Sequence, residues 1–144
     1  MDREAADLTS DDCAVATAPG SPTIVSVCVT CKTADGVLVG PDMFVAVSAA
    51  IAMSDQVTVR QVQCLSVCKR PTTVAVSSPD GYTFLFGDLE TGSGSAALAS
   101  FVRSYGTSNY GLVPWRERTD VLRKGMVARV PPLRWSPEDG SAPK

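Results

Sequence analysis

Five cysteines carry most of the distinctive chemistry of this 144-residue chain, and four of them fall in two close pairs. Cys28-Val29-Thr30-Cys31 has a two-residue gap; Cys64-Leu65-Ser66-Val67-Cys68 has a three-residue gap and runs straight into Lys69-Arg70-Pro71. Free cysteine is often buried as a small hydrophobe. Two pairs at loop edges, one of them followed by two cations, point instead to a thiolate site on Cys28, Cys31, Cys64 and Cys68. Neighbouring positive charge favours the thiolate, which makes Lys69 and Arg70 charge-balancing neighbours. Cys13 stands apart from the other four and is left out of the site. The chain contains no histidine, which removes Cys/His dyads, most catalytic zinc sites and the usual general base. Asp88 and Glu117 are isolated carboxylates, so no catalytic residue is assigned.

Three chemistries suit four thiolates. A structural zinc site asks for two tight knuckles, usually with glycine beyond a two-residue gap; the second pair has a wider gap and no glycine. A [2Fe–2S] cluster takes thiolate ligands and accepts looser spacing. A redox dithiol at Cys28 and Cys31 should open a helix, whose N-terminus lowers the thiol pKa; here a Gly/Asp loop follows instead.

Bulk properties bound the setting. The length is that of one domain, and 44% hydrophobic with 19% charged residues is ordinary for a globular protein. A net charge of −2 gives no reason to expect nucleic acid or an anionic membrane as partner. The acidic N-terminus lacks the apolar run of a secretory signal, and Met43 to Met53, the longest apolar candidate, is too short to span a bilayer. A cytoplasmic protein is expected, where paired thiols more often bind metal or do redox work than form structural disulfides.

The elements around the cysteines read as an α/β domain. Residues 1–22 look like a disordered acidic leader. Thr23 to Thr30 is a β-branched, nearly continuous apolar strand, as a central strand would be, and Cys28 falls near its end. Pro41 opens a helix with a stripe of Met43, Phe44, Val47, Ala50 and Ile51. Gln56 to Gln63 alternates as a half-buried strand and runs into Cys64. Strand, helix and strand make a right-handed βαβ unit, so both cysteine pairs lie at one sheet edge, where α/β proteins place their sites. Thr72–Ser78 and Tyr82–Phe86 form a hairpin about Pro79-Asp80-Gly81. After the Thr91–Ser95 linker, Ala96–Tyr105 is a second helix. The expected order is βαββα: a four-stranded mixed sheet with two helices over residues 23–110, an extended basic arm over 111–132 with a short helical turn at Thr119–Arg123, and a frayed tail over 133–144.

The arm has two readings. In one, Trp115 plugs the core while Arg/Glu pairs decorate its rim. In the other, Trp115, Arg116, Arg118, Arg123 and Lys124 form a cationic surface for an acidic electron-transfer partner or a corrinoid carboxylate, since arginine forks suit carboxylates.

Strand–Cys, helix, strand–Cys-x₃-Cys, hairpin and helix is similar to the thioredoxin-like [2Fe–2S] ferredoxins. Those proteins use a cysteine after the first strand and a Cys-x₃-Cys pair after the second, positions held here by Cys28, Cys64 and Cys68. Their remaining ligand usually lies further beyond the first; here Cys31 follows after three positions. Val27–Cys31, Cys64–Pro71, Tyr82–Asp88, Gly111–Arg118, Leu122–Gly125 and Arg129–Pro132 more closely resemble the domain of unknown function 1636 family, small bacterial proteins often described as metal-binding. Members often carry another cysteine after the Arg-Pro, where this chain has Thr72. The resemblance implies a thioredoxin-like ferredoxin fold and a [2Fe–2S] protein for electron transfer, with a redox or metallochaperone partner and a link to cobalamin or metal metabolism. The alternative is a zinc- or cobalt-holding protein without redox turnover.

Overall fold

The structure is a computed structural model that describes residues 22–51, 56–67, 69–133, 135 and 137–141. Residues 1–21 of the acidic leader, with Cys13, and also Met53 and Cys68 lie outside the described residues. The elements are β1 (Thr23–Cys28), α1 (Gly40–Ile51), β2 (Val57–Val62), β3 (Val74–Ser77), β4 (Thr83–Phe86), α2 (Thr91–Thr107), α3 (Asp120–Gly125) and β5 (Met126–Val130). They build one five-stranded mixed sheet of order β2-β1-β3-β4-β5. β1 pairs parallel with β2 and antiparallel with β3; β3–β4 and β4–β5 are antiparallel.

The continuous apolar run of β1 fits its place between two strands. Val25 and Val27 point to the helical side, across from Val76 and Val74 of β3, and join Phe84, Phe86, Met43, Val47, Leu98, Phe101 and Tyr105 in the core. The rings pack edge to face, Phe101 against Phe84 at 5.1 Å and against Phe86 at 5.2 Å, a geometry that adds roughly 0.5–1.5 kcal/mol per pair beyond area burial. α1 and α2 pack on each other as well as on the sheet. Among the described residues no helix is long and apolar enough to cross a membrane.

The α/β architecture, the parallel βαβ unit and the hairpin match the sequence expectation; the strand and helix counts do not. Among the described residues there are five strands, not four, and three α-helices, not two. Met126–Val130 pairs with β4 as an edge strand that stays half-buried to exposed along its length. It lacks the buried face that would mark a strand in sequence, and its charge is typical of protected edges. The turn expected at 119–123 is α3, with the Thr119 side chain capping Leu122 N–H. The Thr91–Ser95 linker is the start of α2: glycine-rich sequence is poor helix, but the missing Cβ of Gly94 lets the helix sit against Leu89 and Met43. Within residues 133–144, Trp135 is buried, edge-on to Tyr82 at 5.2 Å and Tyr110 at 4.8 Å.

α1 begins directly on the β1 exit. A Cβ on Gly40 would lie 2.3 Å from the Cys28 carbonyl oxygen and 2.5 Å from Val29 Cα, backbone atoms that cannot rotate away. Gly40→Ala is therefore expected to lose about 1–3 kcal/mol by overpacking. Gly92→Ala, a helical site with nothing within 4 Å, should gain about 0.4–1 kcal/mol through the unfolded chain. Urea melts of the two variants beside the parent check the opposite signs.

Candidate metal centre

Because β1 and β2 run parallel with Cys28 opposite Val62, Cys64, two residues past Val62, emerges at the same sheet edge as Cys28. The Val29 N–H donates to the Val62 carbonyl at 2.9 Å, carrying the pairing one step beyond the strand. Thr30 Oγ1 donates to the Gln63 carbonyl, which also accepts from Cys28 Sγ at 3.7 Å. Past Gln63 the chain turns through Ser66 in the left-handed region (φ 61°). That turn aims Ser66 N–H at Cys64 Sγ, 3.2 Å away.

Cys28, Cys31 and Cys64 line one cleft of ≈340 Å³ together with Thr30, Lys32 and Val67. Cys28 and Cys31 are buried and Cys64 is exposed. Cys31 Sγ donates to Thr73 Oγ1 at 3.7 Å, and Thr73 is fully buried. Among the described residues no three cysteine or carboxylate groups converge closely enough to hold a single metal ion.

The two buried thiols are electrostatically unlike. Burial raises Cys28, but hydrogen bonds to its sulfur from Thr30, Cys31 and the backbone of Thr30 and Leu65 outweigh it, and its pKa falls below the usual cysteine value. Cys31 is raised, by burial and by its hydrogen bond to Cys28, against the opposing effect of Thr73. Hydrogen bonding thus favours the charged form at Cys28, and burial favours the neutral thiol at Cys31.

The basic residues after Cys68 divide. Lys69 is exposed. Arg70 Nε pairs with Asp88 Oδ2 at 2.7 Å, while its NH2 and NH1 donate to the carbonyls of Lys124 (3.1 Å) and Met126 (3.4 Å). Its charge is shared with a carboxylate, and its fork ties the cysteine loop to the α3–β5 junction; Asp88, isolated in sequence, has its partner here. Lys32, which lines the cleft, was not singled out from sequence, although it directly follows Cys31. Thr73 was missed too, since only the fold brings it beside Cys31.

On the arm, Trp115 is 56% exposed and does not plug the core, whereas Arg118 is 7% exposed. Arg116 is exposed, Lys124 pairs with Asp120 at 3.1 Å, and Arg123 Nε is buried without a hydrogen-bond acceptor among the described residues.

A five-stranded mixed sheet with the cysteines at the exit of a parallel βαβ unit is a thioredoxin-like ferredoxin architecture. Two solved structures of the thioredoxin-like [2Fe–2S] ferredoxin from Aquifex aeolicus share it. The wild-type protein aligns at TM-score 0.50 and 17% identity, over 75% of this chain and 98% of its own. The second aligns at TM-score 0.51 and 15% identity, over 80% of this chain and 99% of its own. No curated protein matches the chain by sequence. The chain belongs to the family described as protein of unknown function (DUF1636), whose sequence model matches residues 25–132.

The thiol asymmetry has a measurable consequence. In metal-free, reduced protein carrying ¹³Cβ-labelled cysteine, the Cys28 resonance should titrate to thiolate at lower pH than that of Cys31, because hydrogen bonding favours one thiolate and burial opposes the other. Coincident midpoints, or the reverse order, would contradict the geometry.

Proposed function

We propose that this protein binds a [2Fe–2S] cluster through Cys28, Cys31, Cys64 and Cys68 and works as a small electron-transfer protein. The observation that carries the reading is the meeting of Cys28, Cys31 and Cys64 in one cleft. A mononuclear zinc site needs all its sulfurs about 2.3 Å from a single ion. A two-iron cluster asks only for a pair of thiolates at each iron. Cys28 with Cys31, and Cys64 with Cys68, are such pairs. The donor set, all sulfur in a chain without histidine, fits iron–sulfur chemistry.

When bound, the cluster would supply one-electron transfer. The chain's own residues set its surroundings. Ser66 N–H donates to the Cys64 sulfur, Thr30 bonds the Cys28 sulfur, and Thr73 holds Cys31 inward. Lys32, at the wall of the cleft, offsets the negative charge of four thiolates. Fold similarity to the Aquifex ferredoxins supports the reading, as does the absence of a membrane-spanning helix among the described residues, which suits a carrier acting in the reducing cytoplasm. A redox protein partner follows from the activity; the cobalamin link implied by the family resemblance stays part of this proposal.

Protein purified without air should be brown and hold iron and acid-labile sulfide in equal amounts, about two of each per chain. Cys28→Ser, Cys64→Ser and Cys68→Ser should each lose most of both, while Cys13→Ser keeps them. A colourless protein with one zinc or cobalt per chain and no sulfide would overturn the cluster in favour of a metal-holding role. Retention of the cluster in Cys31→Ser would remove Cys31 from the ligand set. Lys32→Gln should lower the reduction potential, since the lost cation stabilised the reduced, more negative cluster.

A further inference from the structure

A second cleft, of ≈500 Å³, opens between the segment after α2 and β5, walled by Val113, Pro114, Trp115 and Met126 with Arg118 and Arg129. It shares no lining residue with the cysteine cleft. The two lie over different strands: the cysteines follow β1 and β2, whereas Arg118 sits on Phe84 of β4 and Arg129 belongs to β5. β3 intervenes, so at about 4.8 Å per strand the separation is about 10 Å or more.

The cleft is built around an arginine that forms no ion pair among the described residues. Arg118 is 7% exposed, with its Cζ 5.1 Å from the Phe84 ring centroid and 5.4 Å from that of Trp115. The two rings hold the guanidinium plane. Its Nε and NH2 donate to the Val113 carbonyl at 3.1 and 2.9 Å, so the side-on edge is occupied. The end-on edge, formed by NH1 and the remaining N–H of NH2, meets no acceptor among the described residues. Burial lowers the Arg118 pKa, and the like charge of Arg129 adds to that effect. Arg129 packs over Tyr82, 5.1 Å from the ring centroid, and forms no ion pair among the described residues.

We propose that this cleft binds a small organic carboxylate, its oxygens on the end-on edge of Arg118 and near Arg129, its apolar or planar body against Trp115 and Pro114. Two N–H groups side by side match the two oxygens of a carboxylate. Apolar walls suit a monoanion better than a phosphate dianion, whose desolvation costs more. A concave volume of this size is that of a small-molecule site. The assignment is independent of the cluster reading and survives its failure.

The test is calorimetric titration of the full-length protein with benzoate, benzamide and phenyl phosphate, followed in parallel by tryptophan fluorescence. Benzoate should bind saturably at one site per chain and benzamide, its neutral counterpart, should not. Arg129→Gln should weaken benzoate by about tenfold, the worth of one charge-assisted hydrogen bond. Trp115→Ala, at an exposed position, should weaken it several-fold without loss of fold. Arg118→Lys, which keeps the charge but loses the fork, should abolish saturable binding while circular dichroism stays that of the parent. Cys64→Ser should leave the affinity unchanged. Equal binding of benzoate and benzamide, or full affinity in both Arg129→Gln and Trp115→Ala, would overturn the proposal. Phenyl phosphate binding more than about tenfold tighter than benzoate would overturn the carboxylate assignment.

Discussion

The parallel register of β1 against β2 is the constraint on which the cysteine site rests. With Cys28 opposite Val62, both chains leave the sheet at one edge and in one direction, which no antiparallel pairing of the same strands would give. The crossover through α1 makes that register possible. It is held because α1 starts in contact with the Cys28–Val29 backbone and buries Met43, Val47 and Ile51 against the sheet. A one-residue slip of β2 would carry its alternating side chains to the wrong face and draw Cys64 away from Cys28. The geometry of the thiols is therefore a property of the core, not of the loops that bear them.

The loops add a second layer of control made of hydrogen bonds, not packing. The Gln63 carbonyl gathers Thr30 and Cys28, Thr73 answers Cys31, and the left-handed turn at Ser66 directs an N–H at Cys64. Each of these partners hydrogen-bonds a cysteine sulfur or the backbone beside it. A surface built only to bury cysteine as a small hydrophobe would have no use for them. Downstream, the Cys28 N–H donates to the Thr73 carbonyl and Arg70 reaches Asp88, so the loop after β2 is tied down on both sides.

What sequence made legible follows from which interactions are local. The βαβ unit and the hairpin could be read because their periodicities and turn residues lie within each segment, and the shared edge of Cys28 and Cys64 followed from chain direction alone. β5 could not be read as a strand, because an exposed edge strand carries almost no burial pattern. The start of α2 was hidden by Gly92 and Gly94, the second of which packs against Leu89 and Met43. Lys32 and Thr73 were invisible as parts of the site for the same reason: one enters by a loop path, the other from the segment just before β3, 42 residues after Cys31. The reversal of Trp115 and Arg118 is the sharpest case. Tryptophan is the residue expected inside and arginine outside, yet the site for the buried guanidinium is made by Phe84, more than thirty positions away.

Arg70 and Arg118 show how one residue type takes two roles in one small fold. Arg70 has a carboxylate at 2.7 Å and two backbone carbonyls for the rest of its fork. Its charge is answered inside the molecule, so what it provides is mechanical: the loop after the second cysteine pair is fastened to Lys124 and Met126. Arg118 is more deeply buried, yet among the described residues it meets only one carbonyl, two ring faces and a like-charged neighbour. Burial of a charge without a counter-ion costs several kcal/mol; rings and a carbonyl offset part of that, and an open edge facing a cleft is where the remainder can be answered by a ligand. Met126 belongs to both settings, accepting from Arg70 through its carbonyl and lining the cleft of Arg118. The fifth strand thus joins the fastening of the cysteine loop to the wall of the second cleft, and the C-terminal arm is part of the architecture of both.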